Sequence, residues 1–335
     1  MPEYMRAVEV KGGKGHVDAL FINDKTEKPT PKDGDAIVKI KAFGLNRMDL
    51  IQREGHYPLP PQAPSTLGVE FSGTIESFGA GDHGAFKEGD AVFGLAYGGA
   101  YAQYIAVSTK MLLHKPDELS WVQAAGIPET WITATQALHF VGQFSKGQSV
   151  LWHAGASGVS IAGIQLSKKA GASKVFATAG TFEKTAFITK ELGADAAFNY
   201  KREDWAQEIL EQTEGKGVDM IIDFIGANYV QNNLKAIARD GHMVSLGMMS
   251  GSVLNGVDVG QIVYKRIRWE GSTLRSRDVI YQGKLRDKLE EYLPLFVKGD
   301  LKIFVDKVFT MDQIQEAHKL MEANTTTGKI ICTVD

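Results

Sequence analysis

The sequence predicts a two-part α/β protein, in which a doubly wound parallel sheet is inserted into an irregular, partly closed β-barrel. Three observations predict it. Residues from about 149 to 272 alternate strand and helix, the pattern of repeated βαβ crossovers. The first 120 residues show short apolar runs broken by Asp33-Gly34, Gly89-Asp90 and Gly98-Gly99, as turns break them. After a helix the chain ends on another strand pattern, a return to the first part. The simplest division is a barrel domain over 1–124 and 273–335 and a parallel-sheet domain over 125–272, with the cleft between them as the expected ligand site.

The elements follow in order. Asp35–Lys41 alternates as a strand does, and Val69–Ile75 and Ala91–Gly94 are further strands. Between them, Tyr57–Pro64 carries four prolines and reads as a rigid loop that shapes one wall of the cleft. Ser149–Trp152 is a buried strand, followed by a glycine turn and a helix over Ile161–Ala170, closed by Gly171. Lys174–Thr178 is the second strand, Phe182–Leu192 a helix closed by Gly193, and Ala196–Phe198 a short strand. Asp204 starts a helix reaching Gln212, and Val218–Asp223 is a strand. Tyr229–Ala238 reads as a helix and Gly241–Gly247 as a strand bounded by glycines. A capping-box pair, Thr310 and Gln313, opens a helix over Met311–Ala323, and Lys329–Val334 is the final strand.

Composition excludes several function classes. The 335 residues are 44% hydrophobic and 23% charged, as in an ordinary globular protein with full cores. No apolar stretch approaches the roughly 20 residues that span a bilayer, and Met1–Arg6 has no signal-peptide character. Net charge is −3 with both signs mixed, which argues against nucleic acid as the main partner. Cys332 is the single cysteine, so no intrachain disulfide and no thiolate metal cluster form, and a reducing, cytoplasmic setting is expected.

The most informative stretch is His153-Ala154-Gly155-Ala156-Ser157-Gly158-Val159-Ser160, between a strand and a helix. Such a turn brings backbone N–H groups and a helix N-terminus to one place, where a dinucleotide pyrophosphate binds. The spacing is G-x-x-G-x-S, so an ordinary tight connection is the competing reading. Small and apolar residues at Val159, Ala162, Gly163, Leu166 and Ala170 form one helix face suited to close packing on a sheet. Gly155, Ala156, Ser157, Gly158 and Val159 are therefore expected to hold a nicotinamide dinucleotide. An NAD-specific site carries Asp or Glu at the tip of the second strand. Here that strand ends Thr178-Ala179-Gly180-Thr181, with Lys184 one turn on, which suits the 2′-phosphate of NADPH. A solvated lysine at a helix start is the alternative for Lys184, and Glu183 beside it opposes phosphate binding.

Several runs together resemble the medium-chain dehydrogenase/reductase superfamily, in its zinc-independent, zeta-crystallin-like quinone oxidoreductase branch. They are Leu45–Leu50, Ala124–Trp131, His153–Val159, Asn199–Lys201, Leu274–Asp278 and Ile314–Asn324. The resemblance spans nearly the whole chain. It implies that the first part is a GroES-like barrel and the second a Rossmann domain. One departure is Ser160, where the family usually has a third glycine, and it tests how closely the helix packs. The family's zinc enzymes place cysteine and histidine where this chain has Asn46 and Val69, and no H-x-x-E-H or H-E-x-x-H spacing occurs. Hydride transfer is then expected without a metal, which suits a quinone or an enone better than an alcohol.

The resemblance also places residues. Thr181, Lys184 and Tyr200 match positions that contact the 2′-phosphate. Asn46 and Tyr57 match positions near nicotinamide and substrate, where Tyr57 offers a donor to a developing oxyanion; an aromatic packed in a proline-rich loop is the equal alternative. Thr130 and Thr133 lie in the region touching the nicotinamide carboxamide, or else serve helix packing. Gly226, Gly247 and Met248 follow strands at their carboxyl ends and are expected to line the cofactor. Leu274 and Ser276 would close over the nicotinamide. Lys329 reaches a cofactor phosphate or stands at the surface. His153 reads as a satisfied buried histidine.

Three functions compete: an NADPH-dependent quinone reductase, a 2-enoyl thioester or alkenal reductase, and an NADPH-binding sensor or structural protein with little turnover. The chain has no dense Lys/Arg cluster in its first part for an acyl-CoA. A homodimer through the cofactor domain is what the resemblance implies.

Overall fold

The computed structural model describes residues 3–335. They form two compact units: residues up to Ile132 together with Arg275–Asp335, and Thr133–Leu274.

The unit Thr133–Leu274 is built on six strands lying side by side in the order Ala196–Asn199, Lys174–Ala179, Ser149–Trp152, Val218–Asp223, Ile237–Ser245, Arg268–Gly271. All neighbours are parallel. The order reverses between Ser149–Trp152 and Val218–Asp223, the switch point at which doubly wound sheets bind ligands beyond their carboxyl ends. Helices cover both faces, so the strands are continuously apolar: Val150, Leu151, Trp152, Phe176, Ile221 and Ile222 are all fully buried. The helix Gly158–Lys169 packs closely because Gly163 has no side chain. A Cβ there would lie 2.2 Å from the Trp152 ring, and the indole N–H is satisfied by Ser167 Oγ at 3.0 Å.

One helix–strand boundary in this unit differs from the sequence reading. The helix expected to reach Ala238 spans Val230–Ala236, and the strand begins at Ile237. That strand is bulged: Val218 pairs with Ile237 but Met220 with His242, and Asp240 turns the chain through φ 61°. The extra residues of the bulge hid the strand's period.

In the other unit a mixed sheet runs Val305–Thr310, Lys329–Thr333, Asp35–Gly44, Glu70–Phe78, Ala91–Leu95, Leu112–His114, and Tyr104–Ser108 also pairs with Asp35–Gly44. The ten-residue strand Asp35–Gly44 is the hub. Two register shifts bend it, so its first half pairs with Tyr104–Ser108 while Ala42, Phe43 and Gly44 pair with Thr333, Cys332 and Ile331. The final strand thus returns to the first part of the chain. The capping box at Thr310 and Gln313 forms, opening a short turn before the helix Ile314–Glu322. Among the described residues, no helix is long and apolar enough to cross a membrane.

Candidate active site

Three strand ends meet beside Gly44. The hub strand runs out through Leu45 into Asn46, which caps the helix Arg47–Arg53. Glu70 opens the neighbouring strand, and Lys329 opens the last one. Gly44 is required there, since a Cβ would fall 2.3 Å from Glu70 Oε1.

This convergence builds a buried polar cluster. Lys329 Nζ donates to Leu45 O at 2.8 Å, to Asn46 Oδ1 at 2.9 Å and to Glu70 Oε1. Asn46 Nδ2 donates to the same Glu70 oxygen at 2.8 Å, and Glu129 N donates to Glu70 Oε2 at 2.9 Å. Asp49 accepts from Asn46 N at 2.8 Å, Tyr101 Oη at 3.1 Å and Gly68 N at 3.2 Å. Burial pushes the Asp49 carboxyl up to about 6, against the bond from Asn46 and the charges of Arg275 and Lys329. Burial, then the nearby Glu70 charge, pushes Glu129 up to about 7.

Arg275 stands in the same unit. Its Nε donates to Tyr97 O at 2.6 Å and its Nη1 to Gln52 Oε1 at 2.7 Å, while Nη2 is buried without a hydrogen-bond partner. The guanidinium lies 5.2 Å from the centroid of the half-buried Tyr57 ring. Burial and the Glu129 charge raise the Tyr57 phenol, and Arg275 opposes them. The phenol is therefore an O–H donor at neutral pH.

Two sequence expectations change here. Lys329 is neither at the surface nor directed at a cofactor phosphate: it is 5% exposed and its ammonium is committed to the cluster. Asn46, expected to bond the cofactor, spends its carbonyl on Lys329 and one amide proton on Glu70, leaving its second amide proton. Glu70, Asp49, Glu129 and Arg275 were not singled out from the sequence. A signal existed, because Glu70 and Glu129 are single carboxylates in apolar runs, Val69-Glu70-Phe71 and Ile127-Pro128-Glu129, where a charge is costly unless it is used.

The glycine turn occupies the switch point of the parallel sheet. Ala154 adopts a left-handed φ of 48°, and Gly155 N donates to Thr178 O at 2.8 Å. A Cβ on Gly155 would press within 2.7 Å of Ile188. Ser157 caps the twelve-residue helix Gly158–Lys169. Ser160, at the departure from the family pattern, is buried and donates to His153 O at 2.6 Å, so the hydroxyl is absorbed and close packing falls to Gly163 instead. The turn and the helix start suit a pyrophosphate.

At the tip of the second strand, Thr181 caps the helix Phe182–Lys190 through Lys184 N. Tyr200 lies across Gly180, where a Cβ would meet its hydroxyl at 2.9 Å. The structure thus brings Gly180, Thr181, Lys184 and Tyr200 together. Glu183 is exposed at the same helix start, its carboxylate held low by its own N–H and the Thr181 hydroxyl. The Thr178 side chain is a correction: its hydroxyl is buried against His153 Nδ1 at 2.9 Å and does not face a ligand. His153 is completed by Asn233 at 2.7 Å and held neutral by burial, a satisfied core histidine as expected. Gly226 turns through φ 84° beneath the half-exposed Met248, and a Cβ on Gly247 would approach Phe224 O at 3.2 Å. Thr130 back-bonds to Gly126 O at 3.2 Å, Leu274 is buried and Ser276 is exposed.

The positions that hold zinc in the family's zinc enzymes carry other residues here. Asn46 and Val69 stand where the resemblance puts ligands. Among the described residues, no group of three or more His, Cys, Asp or Glu side chains could hold a metal ion. The cation between Asn46 and Glu70 is the chain's own ammonium.

Comparison with known proteins agrees with this architecture. The family model described as "Alcohol dehydrogenase GroES-like domain" matches residues 32–117, and that described as "Zinc-binding dehydrogenase" matches 158–295. A mycobacterial protein solved in complex with NADPH is similar with a TM-score of 0.85 and 27% identity, over 98% of this chain and 99% of that one. The CurK enoyl reductase is similar with a TM-score of 0.84 and 25% identity, over 99% and 100%. The quinone oxidoreductase of Pseudomonas aeruginosa is 31% identical over 313 residues, 91% of this chain and 92% of that one. The chain belongs to the medium-chain dehydrogenase/reductase superfamily, with the quinone oxidoreductases among its relatives, and is an oxidoreductase of the kind that uses a nicotinamide cofactor.

Proposed function

We propose that the protein is an NADPH-dependent quinone reductase that delivers hydride to small quinones, ortho-quinones among them, without a metal. The observation that carries this reading is the Lys329 ammonium bonded between Asn46 and Glu70. A cluster whose cation is an amine offers no open Lewis-acid position, so the acceptor must be electrophilic in its own right. Quinones and α,β-unsaturated carbonyls meet that condition; a simple alcohol, which needs its alkoxide stabilised, does not.

The nicotinamide, when bound, supplies the hydride. The residues of the chain bind, orient and protonate. Gly155–Val159 take the pyrophosphate, and Thr181, Lys184 and Tyr200 take the 2′-phosphate. The strand tip without a carboxylate and the likeness to a protein solved with NADPH both support this choice over NADH. Tyr57 donates a hydrogen bond to the oxygen on which negative charge develops, with the Arg275 charge beside its ring. Hydride brings two electrons, and one further proton, from Tyr57 or water, completes the hydroquinone. The reading includes a homodimer and a cytoplasmic setting; sedimentation tests the first and fractionation the second.

The test is NADPH oxidation followed by absorbance with 1,2-naphthoquinone, with crotonyl-CoA and with no acceptor, then repeated with NADH. Quinone turnover with NADPH preference supports the proposal. The likeness to an enoyl reductase favours a second reading, 2-enoyl thioester or alkenal reduction. Turnover of crotonyl-CoA in place of the quinone would establish it.

A further inference from the structure

A chain of buried side chains leads away from the cluster. Asp49, Tyr101, His318 and Arg53 are at most 1% exposed. Tyr101 Oη lies 3.1 Å from Asp49 Oδ2 and 3.3 Å from His318 Nε2, and His318 Nδ1 lies 3.2 Å from Arg53 Nη1. Arg53 ends the chain on Glu54 and Glu322, each at 2.7 Å and each partly exposed.

The direction of every bond follows from one fact. A guanidinium nitrogen only donates. His318 Nδ1 must therefore accept, which puts the ring's single proton on Nε2. That proton is donated to Tyr101 Oη, and Tyr101 is left to donate its own proton to Asp49. A second proton on His318 would break the bond from Arg53 and set a new cation beside the guanidinium. Burial and Arg53 accordingly push the imidazole down to about 3.

We infer that His318 is a positioning residue for the candidate site: a neutral ring with its proton on Nε2, it directs the hydrogen bonds from Arg53 through Tyr101 onto Asp49 and so holds that carboxylate ionised against Asn46 N. Asp49 in turn orients Asn46, whose amide joins Lys329 to Glu70. The other titratable groups facing Asp49 are Arg275, Lys329, Glu129 and Tyr57. The titratable groups facing Tyr101 are Asp49, Glu70 and the Cys332 thiol, which burial keeps neutral, and Arg53 faces His318. The consequence for turnover rests on the function proposed above; the tautomer and the charge state of Asp49 do not.

Two substitutions separate direction from bulk. His318→Gln can still accept from Arg53 and donate to Tyr101. His318→Glu can only accept, so it draws the Tyr101 proton away from Asp49. Tyr101→Phe removes the donor outright while keeping the ring, and serves if either histidine variant fails to fold.

The first measurement is nitrogen-15 NMR of the histidine-labelled apoprotein, with His318→Gln identifying the signal. A neutral ring protonated on Nε2 from pH 5 to 8 is expected; a ring protonated on Nδ1, or one that titrates in this range, overturns the inference. The second is the infrared carboxyl band of Asp49 across pH, isolated by subtracting Asp49→Asn. The inference expects His318→Glu and Tyr101→Phe to move its midpoint up by about one unit, roughly tenfold in proton affinity, and His318→Gln to leave it near the wild-type value. Equal shifts in the two histidine variants, or no shift in His318→Glu and Tyr101→Phe, overturn it. Neither readout uses a quinone, so a failed activity assay would count against the proposed function alone. If quinone turnover holds, the acid limb of kcat/KM should move with the infrared midpoint.

Discussion

Replacing Lys329 with Met is expected to cost about 4 kcal/mol of stability. Methionine keeps much of the side-chain volume and removes the ammonium. The structure sets the scale. Glu70 is 0% exposed and loses its charged partner; leaving one member of a buried pair uncompensated costs about 3–5 kcal/mol. Leu45 O and Asn46 Oδ1 lose a donor as well, which pushes the loss upward. Against this, Glu70 keeps Asn46 Nδ2 at 2.8 Å and Glu129 N at 2.9 Å, which hold the loss inside that range. At roughly 2–4 °C per kcal/mol for a unit of this size, the unfolding midpoint should fall by about 10 °C. The assay is thermal unfolding by circular dichroism of wild type, Lys329→Met, Glu70→Gln and the double variant. The double variant removes both charges and should recover about 2 kcal/mol or more over Lys329→Met. A single variant within about 1 kcal/mol of wild type, or strictly additive losses in the double, would refute the buried-pair argument.

The remaining predictions concern pH, packing and the cofactor. Glu129 is raised from 4.5 to about 7 in the fold, so between those values the folded protein keeps a proton that the unfolded chain has released, and stability falls as pH rises through the window. Glu129→Gln should therefore match wild type near pH 4.5 and be more stable by up to about 3 kcal/mol at pH 8, from about 2.5 units at 1.36 kcal/mol each; an equal difference at both pH values contradicts it. Gly163→Ala should destabilise by about 2–3 kcal/mol, because the new methyl meets the fully buried Trp152 ring; urea unfolding showing no loss would mean the helix shifts freely. Lys184→Ala should raise the KM for NADPH about tenfold with little change for NADH, and Glu183→Gln should lower it by about two- to fivefold; equal effects on both cofactors would contradict the 2′-phosphate assignment. Tyr57→Phe should reduce quinone turnover only modestly, because water can protonate the hydroquinone anion; a large loss confined to an enone, whose enolate is far more basic, would favour the second reading.

Much of the fold is legible in the sequence, and the reasons differ by element. Ser149–Trp152, Lys174–Ala179 and Val218–Asp223 are largely buried strands, and their predominantly apolar runs announce them. Asp204 marks the start of the helix Trp205–Gln212 because a side chain bonding Gln207 N is a local event. The helix Val279–Glu290 is a different case, and nothing in the sequence reading marks it. It buries only Gln282, Gly283, Leu285 and Leu289, so no apolar stripe shows. Thr178 and Lys329 each sit at a strand end, and that position does not say whether a hydroxyl or an ammonium turns outward or into the protein.

The sequence by itself determined the layout along the chain: barrel, inserted parallel sheet, return strand, and a glycine turn where a dinucleotide belongs. Periodicity, caps and turn residues act over a few positions, so they survive in a linear reading. The tertiary structure alone decided which polar groups meet. Lys329 and Glu70 are 259 residues apart and Arg53 and His318 are 265 apart. The first contact depends on how the last strand registers against Ala42–Gly44, and on the bulges in the hub strand; the second joins two helices far apart in the chain. Such a register is set by the packing of the whole sheet, which no local pattern encodes.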